Sequence, residues 1–325
     1  MIQTDVLIVG GGPAGATCAW ALRRYGVDCL VLDREPFPRA KPCAGWISPD
    51  VFQMLELNPS YYPYGLTRLT GLRLSIRGVK LQLPSRQLAI RRAEFDDFLL
   101  RRAGVTVTTH HVRSIVSGDG GYAVDNQYFG RYLIGAGGTH CPVARAFFDE
   151  HDVRTPDGLI ITQEEEFRYE VTDSEQARTC HLWFFEDGLP GYAWYVPKVD
   201  GYVNVGVGAR ATILKARHDT IRHHWDLLVA RLAALGLVSA HAFAPKGHGY
   251  YLRQSRRRVQ AGNVFIVGDA AGLATMDMGE GIAAAVRSGL LVADAIVNGG
   301  AVSIGAIRGW SQPWPISRWL SRAYG

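Results

Sequence analysis

The run Asp5-Val-Leu-Ile-Val-Gly-Gly-Gly-Pro-Ala-Gly15 is an apolar segment that ends in a glycine turn, and Cys29-Leu-Val-Leu-Asp33 follows after a helix-like stretch. This order predicts a strand, a tight turn, a helix and a second strand ending in an acid, the opening of a dinucleotide-binding fold. Gly10 makes the turn, Gly12 lets the backbone approach a pyrophosphate, and Gly15 lets the helix lie close on the strand. Pro13 and Ala14 open the helix, whose first amides face the phosphates with the positive end of the helix dipole behind them. Asp33 stands at the strand tip, where a carboxylate accepts from both hydroxyls of an adenosine ribose.

The chain has 325 residues, 47% hydrophobic and 20% charged, enough for a sizeable core and too long for one minimal domain. Its 37 glycines follow no Gly-X-Y period and suit a protein that brings backbone close to a ligand. The net charge of +5 is scattered, and only Arg256-Arg257-Arg258 forms a run, read as a solvated loop before the strand Asn263-Val-Phe-Ile-Val-Gly268. No nucleic-acid partner is expected. Five cysteines without CxxC pairing or histidines at ligand spacing argue against zinc and disulfides and for a reducing compartment. A core strand at the very start and no bilayer-length apolar stretch predict a cytoplasmic protein. The tail Trp310-Ser-Gln-Pro-Trp314-Pro-Ile-Ser-Arg-Trp319 mixes tryptophan with arginine, so peripheral contact with a membrane stands beside a packed tail helix as its reading.

Downstream, a helix is expected from about Ser48, strands over Leu72 to Leu83, and an amphipathic helix at Arg92-Ala-Glu-Phe95-Asp96 with Phe95 and Leu99 inward. Val105-Thr-Val-Thr is a further strand, Tyr132-Leu-Ile-Gly135 repeats the strand-into-glycine theme, and Leu159 to Gly208 reads as an antiparallel sheet. A helix spans Asp219 to Leu235. Glu164-Glu165-Glu166 reads as solvated acids at a strand edge or loop, and the pairs His110-His111 and His223-His224 as surface or helix-face residues without metal spacing. Nucleotide-fold pieces thus flank a β-rich insertion.

A second motif, Gly268-Asp269-Ala-Ala-Gly272, is followed by Gly279-Glu280-Gly281-Ile282 and a helix to about Val297. A strand running into Gly-Asp at a helix start sets one carboxylate beside a polyol chain and bare amides beside an anion. FAD needs both, a carboxylate for ribityl hydroxyls and amides for the charge that collects on the reduced ring.

These segments, with Arg92-Ala-Glu-Phe-Asp96 and Gly135-Ala-Gly-Gly138, resemble the flavin fold shared by para-hydroxybenzoate hydroxylase, the flavin halogenases and the geranylgeranyl reductases. Two stretches are similar to the geranylgeranyl reductase family: the loop Lys41-Pro-Cys43-Ala-Gly45, and Pro190-Gly-Tyr192-Ala-Trp194-Tyr-Val-Pro197 followed by Asn204-Val-Gly206-Val-Gly208. The resemblance covers residues 1 to 300. It implies an α/β, Rossmann-like FAD-binding fold of the glutathione reductase and para-hydroxybenzoate hydroxylase type, with an interleaved antiparallel β-sheet substrate domain. The implied division is 1–70, 88–158 and 255–300 for FAD, 71–87 and 159–254 for substrate, and 301–325 as a C-terminal tail.

The same resemblance assigns to FAD Gly10, Gly12, Pro13, Ala14, Gly15, Asp33, Arg34, Lys41, Cys43, Ala44, Arg92, Val112, Gly137, Gly268, Asp269, Gly279, Gly281 and Ile282. It assigns catalysis to Cys43, Tyr192 and Trp194; Tyr192 and Trp194, on alternate strand positions, either floor a substrate cavity or face an ordinary core. Gly137 stands where many flavin hydroxylases carry an acid, Ala274-Thr-Met276-Asp-Met278 replaces a proline-bearing stretch, and the C-terminal region is short for a prenyl reductase. Lys80 has no supporting motif for a halogenase role and reads as solvent-facing. The implied activity is FAD-dependent reduction of a carbon-carbon double bond in a hydrophobic, isoprenoid-like substrate. The alternatives are a monooxygenase that hydroxylates an aromatic or peptide-borne substrate through a flavin peroxide, and a flavin-binding scaffold without turnover. Lacking a second glycine fingerprint, the chain is expected to take electrons from transiently bound NAD(P)H or from a protein donor.

Overall fold

The computed structural model describes residues 1–148, 154–254 and 257–311. The chain begins with β1 (Ile2–Val9), α1 (Pro13–Arg24), β2 (Cys29–Asp33), β3 (Trp46–Ile47), α2 (Asp50–Met54), β4 (Thr67–Arg68), β5 (Gly71–Ile76), β6 (Val79–Pro84) and β7 (Leu88–Ala89). Next come α3 (Arg92–Ala103), β8 (Thr106–Thr109), β9 (Ile115–Gly118), β10 (Gly121–Val124), β11 (Tyr128–Gly135), α4 (Pro142–Phe147) and β12 (Leu159–Arg168). Then follow β13 (Thr179–Phe184), β14 (Gly191–Lys198), β15 (Tyr202–Arg210), α5 (Ala211–Ala216), α6 (Ile221–Ala234), β16 (Lys246–Tyr251), β17 (Gln260–Ala261), β18 (Val264–Ile266) and α7 (Ile282–Asn298). The helix expected from Ser48 is only the five-residue α2.

Among the described residues there are two compact units. Met1–Arg39, Ala93–Thr155 and the chain from Tyr250 form the first, and Ala40–Arg92 with Pro156–Gly249 the second. The first boundary therefore lies at residues 39–40 rather than at 70. The reason is local pairing: β3, β7 and β4 close a three-stranded sheet of their own between residues 46 and 89. The expected tail, 301–325, falls mostly outside the described residues, as do Trp314, Trp319 and Arg256.

The first unit is built on an eight-stranded sheet whose main path runs β17-β18-β11-β1-β2-β8, with β10 added to β11 and β9 to β10. β1 pairs in parallel with both β11 and β2, and β11 in parallel with β18. Val6 to Val9 and Cys29 to Leu32 are buried without interruption, as parallel strands covered on both faces require. Both glycine motifs thus sit at the carboxyl ends of parallel strands, β1 and β18, on either side of β11, where open α/β sheets take their ligands.

The second unit carries a seven-stranded sheet, β16-β12-β15-β14-β13-β5-β6. It is antiparallel from β12 through β15 and β14 to β13, but β13 pairs with β5 in parallel. One face packs on α6: Tyr195, Val203, Val205, Val207 and Ala209 meet Trp225, Leu228 and Leu232 in one apolar core. The opposite face carries Tyr192, Trp194, Val196 and Lys198 on β14, with Asn204, Gly206 and Gly208 opposite them on β15.

The three acids Glu164 to Glu166, expected to be solvated, lie on β12, an inner strand between β16 and β15. Each has found a different environment. Glu165 bonds His241 and the Ala244 amide, Glu166 pairs with Lys198 and Arg91, and Glu164 is 4% exposed.

Candidate active site

The glycine turn of the first unit is shaped by close contacts that admit no side chain. Gly10 has φ +113°, and a Cβ there would lie 2.3 Å from the Ala136 carbonyl oxygen. A Cβ on Gly15 would lie 2.0 Å from the Gly10 oxygen. Gly12 differs: its added Cβ would meet nothing closer than the Arg39 guanidinium at 3.9 Å, so the space above it is open. Gly12 is also the N-cap of α1 and offers no capping side chain, and Pro13 has no amide to satisfy. The first-turn donors of α1, beginning with Ala14 and Gly15, are left for an anion.

Asp33 is buried at the end of β2, its Oδ2 accepting from the Gly11 amide at 2.8 Å and its Oδ1 from the Glu35 amide at 3.1 Å. Arg39, which the sequence reading passed over, approaches Asp33 Oδ2 at 3.3 Å. Arg34, also expected at the cofactor, is exposed and pairs with Glu35 at 3.1 Å. Val112 is buried in the core beside Leu30 and Leu32.

The second motif meets the first within this unit. Gly268 has φ +58°, and its added Cβ would lie 3.2 Å from Ala14 Cβ and 3.4 Å from Ala285 Cβ. Gly268–Ala271 forms a single 3-10 turn, so the Gly-Asp pair does not itself open the long helix. That helix, α7, starts at Ile282 with Gly281 as an N-cap that has no side-chain bond. The Asp269 carboxylate spans the gap, its Oδ1 lying 3.3 Å from where a Gly281 Cβ would be. Gly279 has φ +64° and lies against Tyr250, whose hydroxyl would be 2.2 Å from an added Cβ. Gly137 caps a short turn at Gly138–His140 and touches Cys141. Arg154, also missed, donates to the carbonyls of Thr139 at 2.7 Å and Ala270 at 3.0 Å and so ties the third glycine segment to the Gly-Asp turn. A diphosphate-bearing cofactor fits this unit: open backbone at Gly12, two helix starts without side-chain caps, and carboxylates at Asp33 and Asp269.

In the second unit the family-like motifs form one hydrogen-bonded patch. The Trp194 Nε1 donates to Asn204 Oδ1 at 2.7 Å, and Asn204 Nδ2 donates to the Cys43 carbonyl at 3.3 Å. The Trp194 ring lies on bare backbone: a Cβ on Gly206 would be 2.2 Å from its Cζ2, and one on Gly208 would be 3.6 Å from its Cζ3. This is why glycine occupies alternate positions of β15. Tyr192, half-buried, stacks on Phe184 at 5.0 Å between centroids and adjoins Trp194 at 5.7 Å. Tyr192 and Trp194 thus lie on the strand face opposite the α6 core, with Trp194 buried. Cys43 accepts from the Gly45 amide through Sγ at 3.4 Å, with Ala44 half-buried between them, and Lys41 donates to His248 Nε2 at 2.6 Å. Lys80, on β6, is exposed.

Charge gathers beside this patch. Lys198 Nζ donates to Glu166 Oε2 at 2.5 Å, and Arg91 Nε to Glu166 Oε1 at 3.0 Å. Burial alone would raise the Glu166 carboxyl, but Lys198 and Arg91 outweigh it and hold the group below its ordinary range. For Glu164 the balance reverses: burial pushes it up to about 7 against the pull of Lys198, Lys41 and Arg92. Arg92, expected at the cofactor, is buried and close enough to Glu164 to act on its charge. Neither Glu164 nor Lys198 was anticipated. The signal lay in the period of two, which puts Lys198 on the same strand face as Tyr192 and Trp194.

The fold and these sites define a class: an FAD-dependent oxidoreductase with a Rossmann-like domain and an interleaved β-sheet domain. Residues 3–58 match the FAD binding domain family. The chain is 31% identical over 325 residues to the menaquinone reductase of Mycobacterium tuberculosis, covering 90% of this chain and 76% of that one. It is 28% identical over 327 residues to digeranylgeranylglycerophospholipid reductase 1 of Methanothermobacter thermautotrophicus, covering 93% and 79%. A geranylgeranyl bacteriochlorophyll reductase-like protein from Thermoplasma acidophilum shares the fold, with a TM-score of 0.80 at 20% identity over 99% of this chain and 83% of that one. The chain belongs to the geranylgeranyl reductase-like family of FAD-dependent oxidoreductases. Its cofactor is FAD.

Proposed function

We propose that the chain reduces a carbon-carbon double bond in a hydrophobic, isoprenoid-like substrate. In the first unit, Gly10, Gly12, Pro13, Ala14, Gly15 and Asp33 hold the adenosine and pyrophosphate of FAD, Asp269 takes ribityl hydroxyls, and Gly279, Gly281 and Ile282 support the ring with the α7 amides. When bound and reduced, FAD supplies a hydride. In the second unit, Tyr192 and Trp194 form the floor on which the apolar substrate lies. Asn204 fixes the tilt of the indole and anchors the Cys43 loop beside it, while Gly206 and Gly208 give the ring the depth it needs. The observation that carries this reading is the chain from the Cys43 carbonyl through Asn204 to Trp194, laid over side-chain-free backbone. The names of the two reductase relatives point to the same substrate class. Electrons reach FAD from transiently bound NAD(P)H or from a protein donor, and the protein works in the cytoplasm.

The test is an anaerobic one. The FAD-loaded protein, reduced with dithionite, is mixed with menaquinone or geranylgeraniol, and flavin absorbance is followed. Return of the oxidised spectrum, together with loss of a double bond from the lipid, is the expected result. A flavin that stays reduced with both lipids but reacts rapidly when oxygen is admitted with an aromatic compound overturns the reductase reading in favour of a monooxygenase.

A further inference from the structure

We propose that Arg39 is a diphosphate ligand of FAD, held over the glycine turn by Phe37 and Asp33. The proposal rests on the placement of the FAD adenosine and diphosphate at Gly10 to Gly15 and Asp33. It adds a side-chain cation to a diphosphate site so far made of backbone amides.

The loop that follows β2 brings the arginine there by folding back on the turn. Asp33 Oδ2 accepts from the Gly11 amide at 2.8 Å, which pins the start of the loop. Phe37 covers Gly11, where an added Cβ would lie 3.1 Å from Phe37 Cε2. The Arg39 guanidinium lies over the Phe37 ring, 4.6 Å from its centroid, and its Nη2 returns to Asp33 Oδ2 at 3.3 Å. The same Nη2, at 3.9 Å, is the only atom within 4 Å of a Cβ added to Gly12. All of these residues belong to the first unit.

Two unmet demands converge at Gly12. The first-turn amides of α1 have no capping side chain and no acid in their turn. The Arg39 side chain is 17% exposed, so its charge is largely withdrawn from water. Among the described residues its one hydrogen-bonded partner is Asp33, which also accepts from the Gly11 and Glu35 amides. That contact is longer than the roughly 2.7–2.9 Å of a strong charged pair. The Arg39 Nε is buried with no partner among the described residues. A largely buried guanidinium with one long, shared contact gains from a second anion. Diphosphate oxygens answer both demands, taking amides from the helix start and the planar fork from the arginine. A phosphate on the ribose 2′-hydroxyl, the other anion an arginine in this region can take, is opposed by the Asp33 carboxylate.

The test uses the full-length protein freed of flavin. FAD binding is read by flavin fluorescence, and ADP, adenosine and adenosine 2′,5′-diphosphate by competition against it. Arg39→Gln should weaken FAD and ADP by a common factor, roughly 10- to 100-fold, and leave adenosine unchanged. Added salt should weaken ADP binding to the wild type more than to the Gln variant, which lacks the charge being screened. Arg39→Lys keeps the charge without the fork and should fall between the two. Should the Gln variant not fold, the Lys variant carries the same comparison of ADP with adenosine. An arginine that only braces the loop would weaken adenosine and ADP alike with the salt dependence unchanged, and that result overturns the proposal. So does tighter binding of the 2′,5′-diphosphate than of ADP, lost in the Gln variant, because it puts the charge at the ribose. Gly12→Val separates the proposal from the reading beneath it. Gly12 has φ −70° and open space, so valine suits the fold and obstructs only a ligand. A Val variant that binds FAD and ADP like the wild type removes the diphosphate from the glycine turn, and the Arg39 role with it. Loss of binding in the Val variant, with Arg39→Gln binding as tightly as the wild type, overturns the Arg39 role alone.

Discussion

Gly206 shows how one missing methyl group can organise a site. Its neighbours leave 2.2 Å to the Trp194 ring and 2.7 Å to Glu164 Cβ, well inside contact distance. Gly206→Ala should therefore cost about 1–3 kcal/mol in the denaturant midpoint and shift the tryptophan fluorescence, since a tight core strains when enlarged. Gly118→Ala, at an exposed strand position with open space around the glycine, should cost far less. Glu164 gives a pH signature. Its folded-state value of about 7 lies above its ordinary 4.5, so between these values the folded chain holds a proton that the unfolded chain has released. Stability must then fall as pH rises through that window. Measured against Glu164→Gln, the wild type should lose about 3 kcal/mol between pH 4.5 and pH 8 in urea titrations. A flat difference would mean that Glu164 titrates normally. The glycines of the nucleotide turn were legible because their chemistry is local. Glu164 was not, because three consecutive acids look solvated until Lys198, Lys41, Arg91 and Arg92, distant in sequence, are brought to them.

At the scale of elements, α1 and α7 come from opposite ends of the chain and meet through small residues. A Cβ on Gly289 of α7 would lie 2.5 Å from the Ala14 carbonyl of α1. In a free helix, Gly289→Ala would gain up to about 1 kcal/mol from reduced backbone entropy. Here the contact with α1 should dominate, giving a net loss of about 1–2 kcal/mol and reduced FAD content on purification. A variant more stable than wild type would show that the two helices have room to spare. The pattern of strand, turn and helix was readable at both motifs, since parallel strands write themselves as continuous apolar runs. What could not be read was the 3-10 turn at Gly268–Ala271 that separates the Gly-Asp pair from α7, or the parallel pairing of β13 with β5. Both depend on partners far along the chain, to which local periodicity is blind. The same limit moved the unit boundary to residues 39–40, because two-residue strands such as β3 and β7 leave no period to detect.

For the whole molecule, the cofactor and the fold should be thermodynamically linked. FAD at 100 times its dissociation constant should add about 2.7 kcal/mol of stability, read as a rise in the thermal midpoint with added FAD. Asp269→Ala should lose most of that rise and purify with little yellow colour. Unchanged flavin content in this variant would remove Asp269 from the cofactor's contacts. No helix among the described residues is long and apolar enough to cross a membrane. The central claim is that this chain adds hydrogen, and not oxygen, to its substrate. Mass spectrometry of lipid recovered after turnover with menaquinone, FAD and an electron donor under isotopically labelled oxygen gas tests it directly. The account predicts a product heavier by one pair of hydrogens, free of label, and formed equally well without oxygen. A product that carries the oxygen label, or that forms only when oxygen is present, would contradict it.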